Sequence, residues 1–362
     1  MSEFDPIAAA LDAETPETEA LRRQVYDLER RLLQRGDVEA QLAAERKRAD
    51  TIERELGVVE ALGVAGQPDW MTAPPKSGKK HHATPHLMLS DLHLDEIVNP
   101  DEMSGINAYN REIAEQRLER IAANFVRVTR DYWSGLTYDG AVIALGGDIF
   151  SGEIHDELKE TNADTLLGSL HHWIDPLASV LAVMADEFGK VHVPVVVGNH
   201  GRTTRKPRAK LRVRSNFDWA LGHALARTFV KDKRITFDIP ESADCRFEVY
   251  DQAILMTHGD QVTGGAGIGG IWPPLMRLVA RKRARGDATG TPFNLMICGH
   301  WHQLVYGPDF IVNGSLKGYD EYAAVSNFAY EPPQQAAWLM VPGHGKTWTA
   351  PIFCQERELE GW

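Results

Sequence analysis

Six short apolar runs rich in β-forming residues punctuate the chain, at 86–89, 141–145, 193–197, 253–256, 293–298 and 310–312. Each is short for a helix and reads as a buried strand. Helical patterns lie between several of them, at 110–133, 157–188 and 216–230. Strands that alternate with helices argue for an α/β architecture. The stretch from 235 to 349 is richer in strands, which suggests a second sheet.

The chain divides into an arm, a linker and a body. Residues 1–62 form the arm, whose apolar positions Leu21, Val25, Leu28 and Leu32 step by four, three and four. A second series runs through Val38, Leu42, Ala49, Ile52, Leu56 and Val59. Both put one apolar stripe on a charged helix, in the manner of a coiled coil. They fall out of phase across Gly36-Asp37, so the arm is either a helical hairpin or a coiled coil with a discontinuity. A long two-faced helix needs a partner for its stripe, which favours a homo-oligomer joined through the arm over a helix packed on its own body. Residues 63–80 read as a flexible linker of glycine, proline and serine without periodicity. The body spans 81–362.

Composition narrows the function classes. Hydrophobic residues at 43% suffice for a real core, and the net charge of -12 argues against a surface that grips a polyanion all over. No apolar run approaches the length of a membrane span, and the acidic start MSEFDP does not resemble a secretory signal. Three widely spaced cysteines, Cys245, Cys298 and Cys354, suit a reducing compartment, so the expected location is the cytoplasm.

Five segments carry chemistry, and most follow an apolar run: Asp91-Leu92-His93, Gly147-Asp148, Gly198-Asn199-His200, His258 in THGD, and Gly299-His300-Trp301-His302. Residues two apart on an extended backbone point the same way, so Asp91 and His93 are expected to converge, as are His300 and His302. Carboxylate, carboxamide and imidazole together suit a transition metal rather than magnesium or calcium. Taken singly, each segment has a bland explanation as a turn, a surface pair or a core histidine. Five in order, each behind a β run, make a much stronger signal.

This ordered set resembles the calcineurin-like metallophosphoesterase superfamily, whose pattern is DxH, GD, GNH, a lone histidine and GHxH. The resemblance covers the body and implies a four-layered α/β/β/α sandwich with the motifs on loops along one edge. It implies that Asp91, His93 and His302 hold one divalent transition metal and Asn199, His258 and His300 a second, with Asp148 bridging. Manganese is the first choice, and iron, nickel or zinc also accept these ligands. The implied chemistry is two-metal hydrolysis, in which paired cations acidify a water and neutralise phosphoryl charge. By the same resemblance His200 contacts the phosphoryl group and protonates the leaving oxygen. The family carries an acidic residue after this histidine; here Gly201 stands instead, which removes a group that would tune His200. Asp260 is read evenly as a partner behind a metal-bound histidine or as a turn residue.

After His200 the chain reads GRTTRKPRAKLRVR, with no acid before Asp218. Arg202, Arg205, Lys206 and Arg208 are the candidates for substrate contact, with Lys210, Arg212 and Arg214 behind them; a solvated loop paired with acids is the commoner fate of such a run. A second cluster, Arg277, Arg281, Lys282, Arg283 and Arg285, follows the glycine-rich stretch 264–270, read as a mobile flap. Trp272 beside it is read as packing ahead of a stacking surface for a base.

Three readings follow in order. The first is a phosphodiesterase acting on nucleic acid, similar to the superfamily's nuclease branch. The second is a phosphodiesterase or phosphatase of small nucleotides such as cyclic nucleotides. The third is a scaffold with a vestigial metal site. GNHGR followed by a basic loop, and NGSLKGYDEYA after the last motif, also resemble phosphoesterases encoded by bacterial viruses, which implies a host cytoplasm; there Asn313-Gly314-Ser315 is expected to border the site. Deleting residues 1–62 is expected to lower the mass in solution to that of a single body. An unchanged mass in light scattering removes the arm as the joint.

Overall fold

The computed structural model describes residues 20, 23–27, 66–74, 81–262, 264 and 269–362. Two compact units separate, Met1–Glu60 and Ala61–Trp362. The expected arm lies almost wholly outside the described residues, of which 23–27 are helical. The expected flap falls outside them as well, apart from Gly264, Gly269 and Gly270.

Among the described residues the second unit carries twelve strands: β1 (His81–Leu89), β2 (Leu136–Tyr138), β3 (Ala141–Leu145), β4 (Val191–Pro194), β5 (Ile235–Asp238), β6 (Asp244–Val249), β7 (Gln252–Thr257), β8 (Leu295–Cys298), β9 (Val305–Tyr306), β10 (Phe310–Val312), β11 (Gln334–Val341) and β12 (Gly345–Phe353). Its helices are α1 (Arg111–Arg127), α2 (Asp156–Thr161), α3 (Leu166–Phe188), α4 (Phe217–Thr228), α5 (Trp272–Thr289), α6 (Glu321–Val325) and α7 (Arg357–Glu360). One sheet runs β12-β11-β1-β3-β4-β5 with β2 beside β1, and the other runs β6-β7-β8-β10-β9. Within the first, β1, β3, β4 and β5 are parallel; within the second, β7, β8 and β10 are. Parallel neighbours need a crossover; α1, α3, α4 and α5 supply it for all but β8 and β10, which are joined through β9.

Residue parity along each strand builds the layers, because successive side chains point to opposite faces. Leu87, Leu89, Ala141, Ile143, Val191 and Val193 pack against Leu118 and Phe125 of α1 and Leu177 and Leu181 of α3. Their neighbours Met88, Val142 and Ala144 face the other way and meet Phe247, Ile254, Met256 and Ile297 of the second sheet. Ala253, Leu255, Met296 and Phe310 on that sheet's outer face pack under Leu275, Leu278 and Val279 of α5. Three cores in sequence give four layers, α/β/β/α, as the resemblance implies. No helix among the described residues is long and apolar enough to cross a membrane.

Two local expectations are corrected. The pattern at 157–188 is not one helix: Asn162 turns its amide to the Gly152 carbonyl (2.7 Å), and Thr165 then caps α3 at Gly168. Nor is all of 63–80 a free linker. Met71 is fully buried in the core between the sheets, its carbonyl accepts from Tyr250 N (2.6 Å), and Gln67 Oε1 accepts from Glu248 N. An apolar side chain inside a polar segment found a pocket, and composition alone does not reveal that.

The core also holds two histidines. His86 donates Nδ1–H to the Thr84 carbonyl (3.0 Å), and His192 Nδ1 meets Thr236 Oγ1 (3.0 Å); neither Nε2 has a hydrogen-bond partner. Burial holds both rings down at about 3. The unfolded chain binds protons at these rings near the ordinary value of about 6.5, whereas the native state refuses them until about 3. Stability is therefore lost as pH falls below about 6.5, by roughly 2 kcal/mol per histidine between pH 7 and 5. Urea midpoints at the two values are expected to show this, and His192→Gln is expected to flatten the dependence. An equal dependence in the variant would exclude His192 as its source.

Candidate metal centre

The chemistry-bearing segments leave the carboxyl ends of five parallel strands that share one edge of the sandwich. Asp91 and His93 follow β1, Asp148 follows β3, Asn199 and His200 follow β4, His258 follows β7, and His300 and His302 follow β8. This is where an open parallel sheet collects ligands. The backbone there is not extended, contrary to expectation. Asp91 (φ 53°), His93 (φ 48°), Asp148 (φ 50°), His300 (φ 76°) and His302 (φ 54°) all occupy the left-handed region, at a cost of about 1–3 kcal/mol each. Asp91 N and His93 N donate to the carbonyls of Gly147 (3.0 Å) and Asp148 (3.2 Å), so the two loops run together after their strands end. Glycine is required where the loops approach the carboxylates. A Cβ on Gly198 would lie 2.0 Å from Asp148 Oδ1, and one on Gly299 would lie 2.1 Å from Asp91 Oδ2.

Three groups of potential ligand atoms result, each with its atoms within 4.8 Å of one another: Asp91, His93 and His302; Asp148, His258 and His300; and His93, Asp148 and His200. Asp148 belongs to two of them, between the outer clusters. The Nε2 atoms of His93 and His302 face each other at 3.0 Å, and His302 Nε2 lies 3.6 Å from Asp91 Oδ1. His258 directs Nδ1–H to the Gly146 carbonyl (2.9 Å) and sets Nε2 2.9 Å from Asp148 Oδ2. Asn199 Oδ1 is buried and accepts no hydrogen bond.

These features fit a cation pair. Converging imidazole nitrogens, two buried carboxylates and an unsatisfied carboxamide oxygen form a donor set that a divalent metal accepts. The electrostatics agree. Burial pushes the Asp91 carboxyl up to about 6, and the nearby charge of Asp148 adds to the rise. Burial opposes the charge on Asp148 too, but the imidazoles of His258 and His200 outweigh it and hold this carboxyl well below its usual range. His258 shows the converse: against its own burial, Asp148 lifts it to about 10. A proton on His258 thus serves as the counter-charge that a bound cation would replace. Burial drives His200 and His300 down to about 4, which leaves their rings neutral, as ligation and hydrogen-bond acceptance require.

Behind these residues lies a buried support that the sequence reading missed. Glu96 Oε2 sits 3.2 Å from His93 Nδ1, and its other oxygen accepts from Lys317 Nζ (2.6 Å), which also bonds Asp320. Burial disfavours these charges, yet the ammonium holds Glu96 far below its usual range while the two carboxylates raise Lys317. The carboxylate of Asp218 accepts from the backbone of Asp148 (3.1 Å), Ile149 (3.2 Å) and Gly198 (2.9 Å), joining the loops after β3 and β4. Asn313 donates to Ser90 Oγ (2.9 Å), which donates to Asp91 Oδ2 (2.5 Å), and Ser315 Oγ donates to the Asp91 carbonyl (2.8 Å). Asn313-Gly314-Ser315 does border the site. The remaining signals in sequence were slight: an acid three residues after His93, and Asp218 two residues after a capping asparagine.

The basic residues divide. Arg202 spends its guanidinium on the carbonyls of Asn199 (2.7 Å), Thr204 (2.9 Å) and Arg205 (3.1 Å), so it staples the loop rather than reaching outward. Arg205 pairs with Asp156 and Arg214 with Glu241. Arg212 pairs with Asp260 (2.8 Å); that carboxylate ties the loop after β7 to the basic loop and makes no hydrogen bond to His258. Lys206, Arg208 and Lys210 are exposed and have no side-chain partner among the described residues. In the second cluster Lys282 and Arg285 pair with Asp244, and Arg283 pairs with Asp309. Trp272 is half exposed, its ring 6.0 Å from Phe310.

Glu96→Gln keeps the shape and removes the charge behind His93. Manganese affinity, titrated into metal-stripped protein, is expected to fall about 10- to 100-fold. Unchanged affinity would mean that this carboxylate does not act on the ligand.

No family model and no curated protein matches the chain. Among solved structures it is similar to Vps29 of Entamoeba histolytica complexed with zinc (14% identity, TM-score 0.30, covering 74% of this chain and 99% of that one). It is also similar to a predicted phosphoesterase of Streptococcus pneumoniae (12%, TM-score 0.28, 74% and 98%). A third is a dimetal phosphatase of Danio rerio (10%, TM-score 0.34, 75% and 99%). The site's own geometry, not these likenesses, supports the reading that follows.

Proposed function

We propose that this protein is a dinuclear-metal phosphoester hydrolase of the calcineurin-like kind that cleaves phosphodiester bonds in nucleic acid. One observation carries the reading: Asp91, His93 and His302 converge at one end of a common sheet edge, Asp148, His258 and His300 converge beside them, and a third group of His93, Asp148 and His200 links the two. Asp91, His93 and His302 would hold one cation and Asn199, His258 and His300 the other, with Asp148 available to both. When bound, the pair supplies neutralisation of phosphoryl charge and acidification of a water.

The protein's own groups prepare that chemistry. Glu96 and the Gly146 carbonyl fix the outer nitrogens of His93 and His258, so each ring turns Nε2 inward. Asn199 adds a ligand without adding negative charge where an anionic substrate must approach. His200 anchors Nδ1–H on the Ser151 carbonyl (2.7 Å) and packs edge-on to His93, which fixes its ring at the centre. Lys206, Arg208 and Lys210, unpaired beside this loop, supply the grip on a polyanion that the acidic remainder of the surface does not.

Metal-stripped protein reloaded with manganese is to be assayed on labelled DNA and RNA, 2′,3′-cyclic nucleotide, bis-p-nitrophenyl phosphate and p-nitrophenyl phosphate. Cleavage of polynucleotide that weakens with salt is the expected result, and Asp148→Ala is expected to lose all measurable hydrolysis. Replacing Lys206, Arg208 and Lys210 together by glutamine is expected to lower the slope of log affinity against log salt by about 2–3. Intact polynucleotide beside hydrolysed small esters reassigns the substrate to small nucleotides. Hydrolysis that survives Asp148→Ala overturns the two-metal site.

A further inference from the structure

Cleavage of a phosphodiester expels an alkoxide, a poor leaving group unless it is protonated as it departs. The residue after His200 is Gly201, which has no side chain to orient that histidine, and the His200 Nδ1–H is committed to the Ser151 carbonyl (2.7 Å). A second imidazole stands beside it. The His155 ring lies 5.9 Å from that of His200, tilted by 58°, at the exposed outer end of the row His302–His93–His200. His155 is exposed, and no hydrogen bond ties it to another described residue, so both ring nitrogens are open to substrate and water.

Its position is built. Gly152 lets the loop after β3 press against the His200 backbone, since a Cβ there would lie 2.0 Å from the His200 carbonyl oxygen. Asn162 holds the same loop through the Gly152 carbonyl (2.7 Å) and Ser151 Oγ (2.9 Å). Asp156, the next residue after His155, pairs with Arg205 of the basic loop (2.9 Å). The His155 loop and the basic loop are thereby held together beside His200.

We propose that His155 is the proton donor to the leaving oxygen, an inference that rests on the phosphodiesterase reading above. As the bond from phosphorus to the leaving oxygen breaks, its electron pair stays on that oxygen, which takes a proton from the His155 ring. The neutral ring regains a proton from water, and the attacking hydroxide derives from a second water whose proton passes to solvent.

The test compares two thymidine 5′-phosphodiesters with His155→Gln: the p-nitrophenyl ester, whose leaving group needs no proton, and a dinucleoside phosphate, whose leaving group does. The variant is expected to lose about 100-fold in kcat/KM on the dinucleoside phosphate. Its loss on the p-nitrophenyl ester is expected to be at least tenfold smaller, with two manganese ions per chain still bound by elemental analysis. Equal losses on both esters, or none on the dinucleoside phosphate, overturn the assignment. So does a wild type that cleaves only the activated ester, since a built-in donor removes that restriction. Manganese-loaded wild type inert toward both esters overturns the underlying phosphodiesterase reading instead.

Discussion

A carboxylate taken out of water must be met by donors or cations, and nearly everything at the functional edge meets that demand at Asp148. Its side chain is buried, faces His258 Nε2 and accepts from His200 N (2.6 Å). Its backbone rests on Asp218, which at the same time fixes Gly198 of the next loop. Two strands are thereby locked at their ends by one pair of acids, and the pair is tolerable only because N–H groups and imidazoles surround it. The other ligands arrive from neighbouring strands in the positions this anchor leaves.

The strain at the edge follows from the same requirement. Five of the candidate ligand residues take left-handed backbone conformations that non-glycine residues avoid. Extended loops would carry their side chains past one another; the reversed turn folds each back over its strand end. Hydrogen bonds between the loops after β1 and β3, and the Ser315–Asp91 bond from the far sheet, hold the turns in place. Sheets that pack through Met88, Phe247 and Ile254 bring the two halves of the ligand set to one edge. Packing and chemistry are coupled there: a shift between the sheets would separate His300 N from Asp91 Oδ1, now 2.8 Å apart.

Charge around the centre is sorted by pairing. Of the basic run after His200, Arg202 is spent on backbone, Arg205, Arg212 and Arg214 on acids, and Lys206, Arg208 and Lys210 remain for solvent or substrate. The second basic cluster is largely neutralised by Asp244 and Asp309, so the ordinary fate of a charge run holds there.

The sequence by itself carried the order of strands and helices and the motif residues of the candidate site. Short apolar runs are a local property of the chain, so most strands could be placed before any contact was known, whereas the division of Leu87 and Met88 between two cores emerged only in the fold. The motifs at the strand ends are equally local, and their resemblance to the calcineurin-like pattern is what named Asp91, His93, Asp148, Asn199, His258, His300 and His302 as candidates in order. Tertiary structure alone decided the left-handed turns, the burial of Met71, the pairing of Glu96 with Lys317 across 221 positions and the approach of His155 to His200. None of these leaves a periodic trace, because each depends on which distant groups a folded chain brings within about 3–6 Å, where hydrogen bonds and ring contacts act.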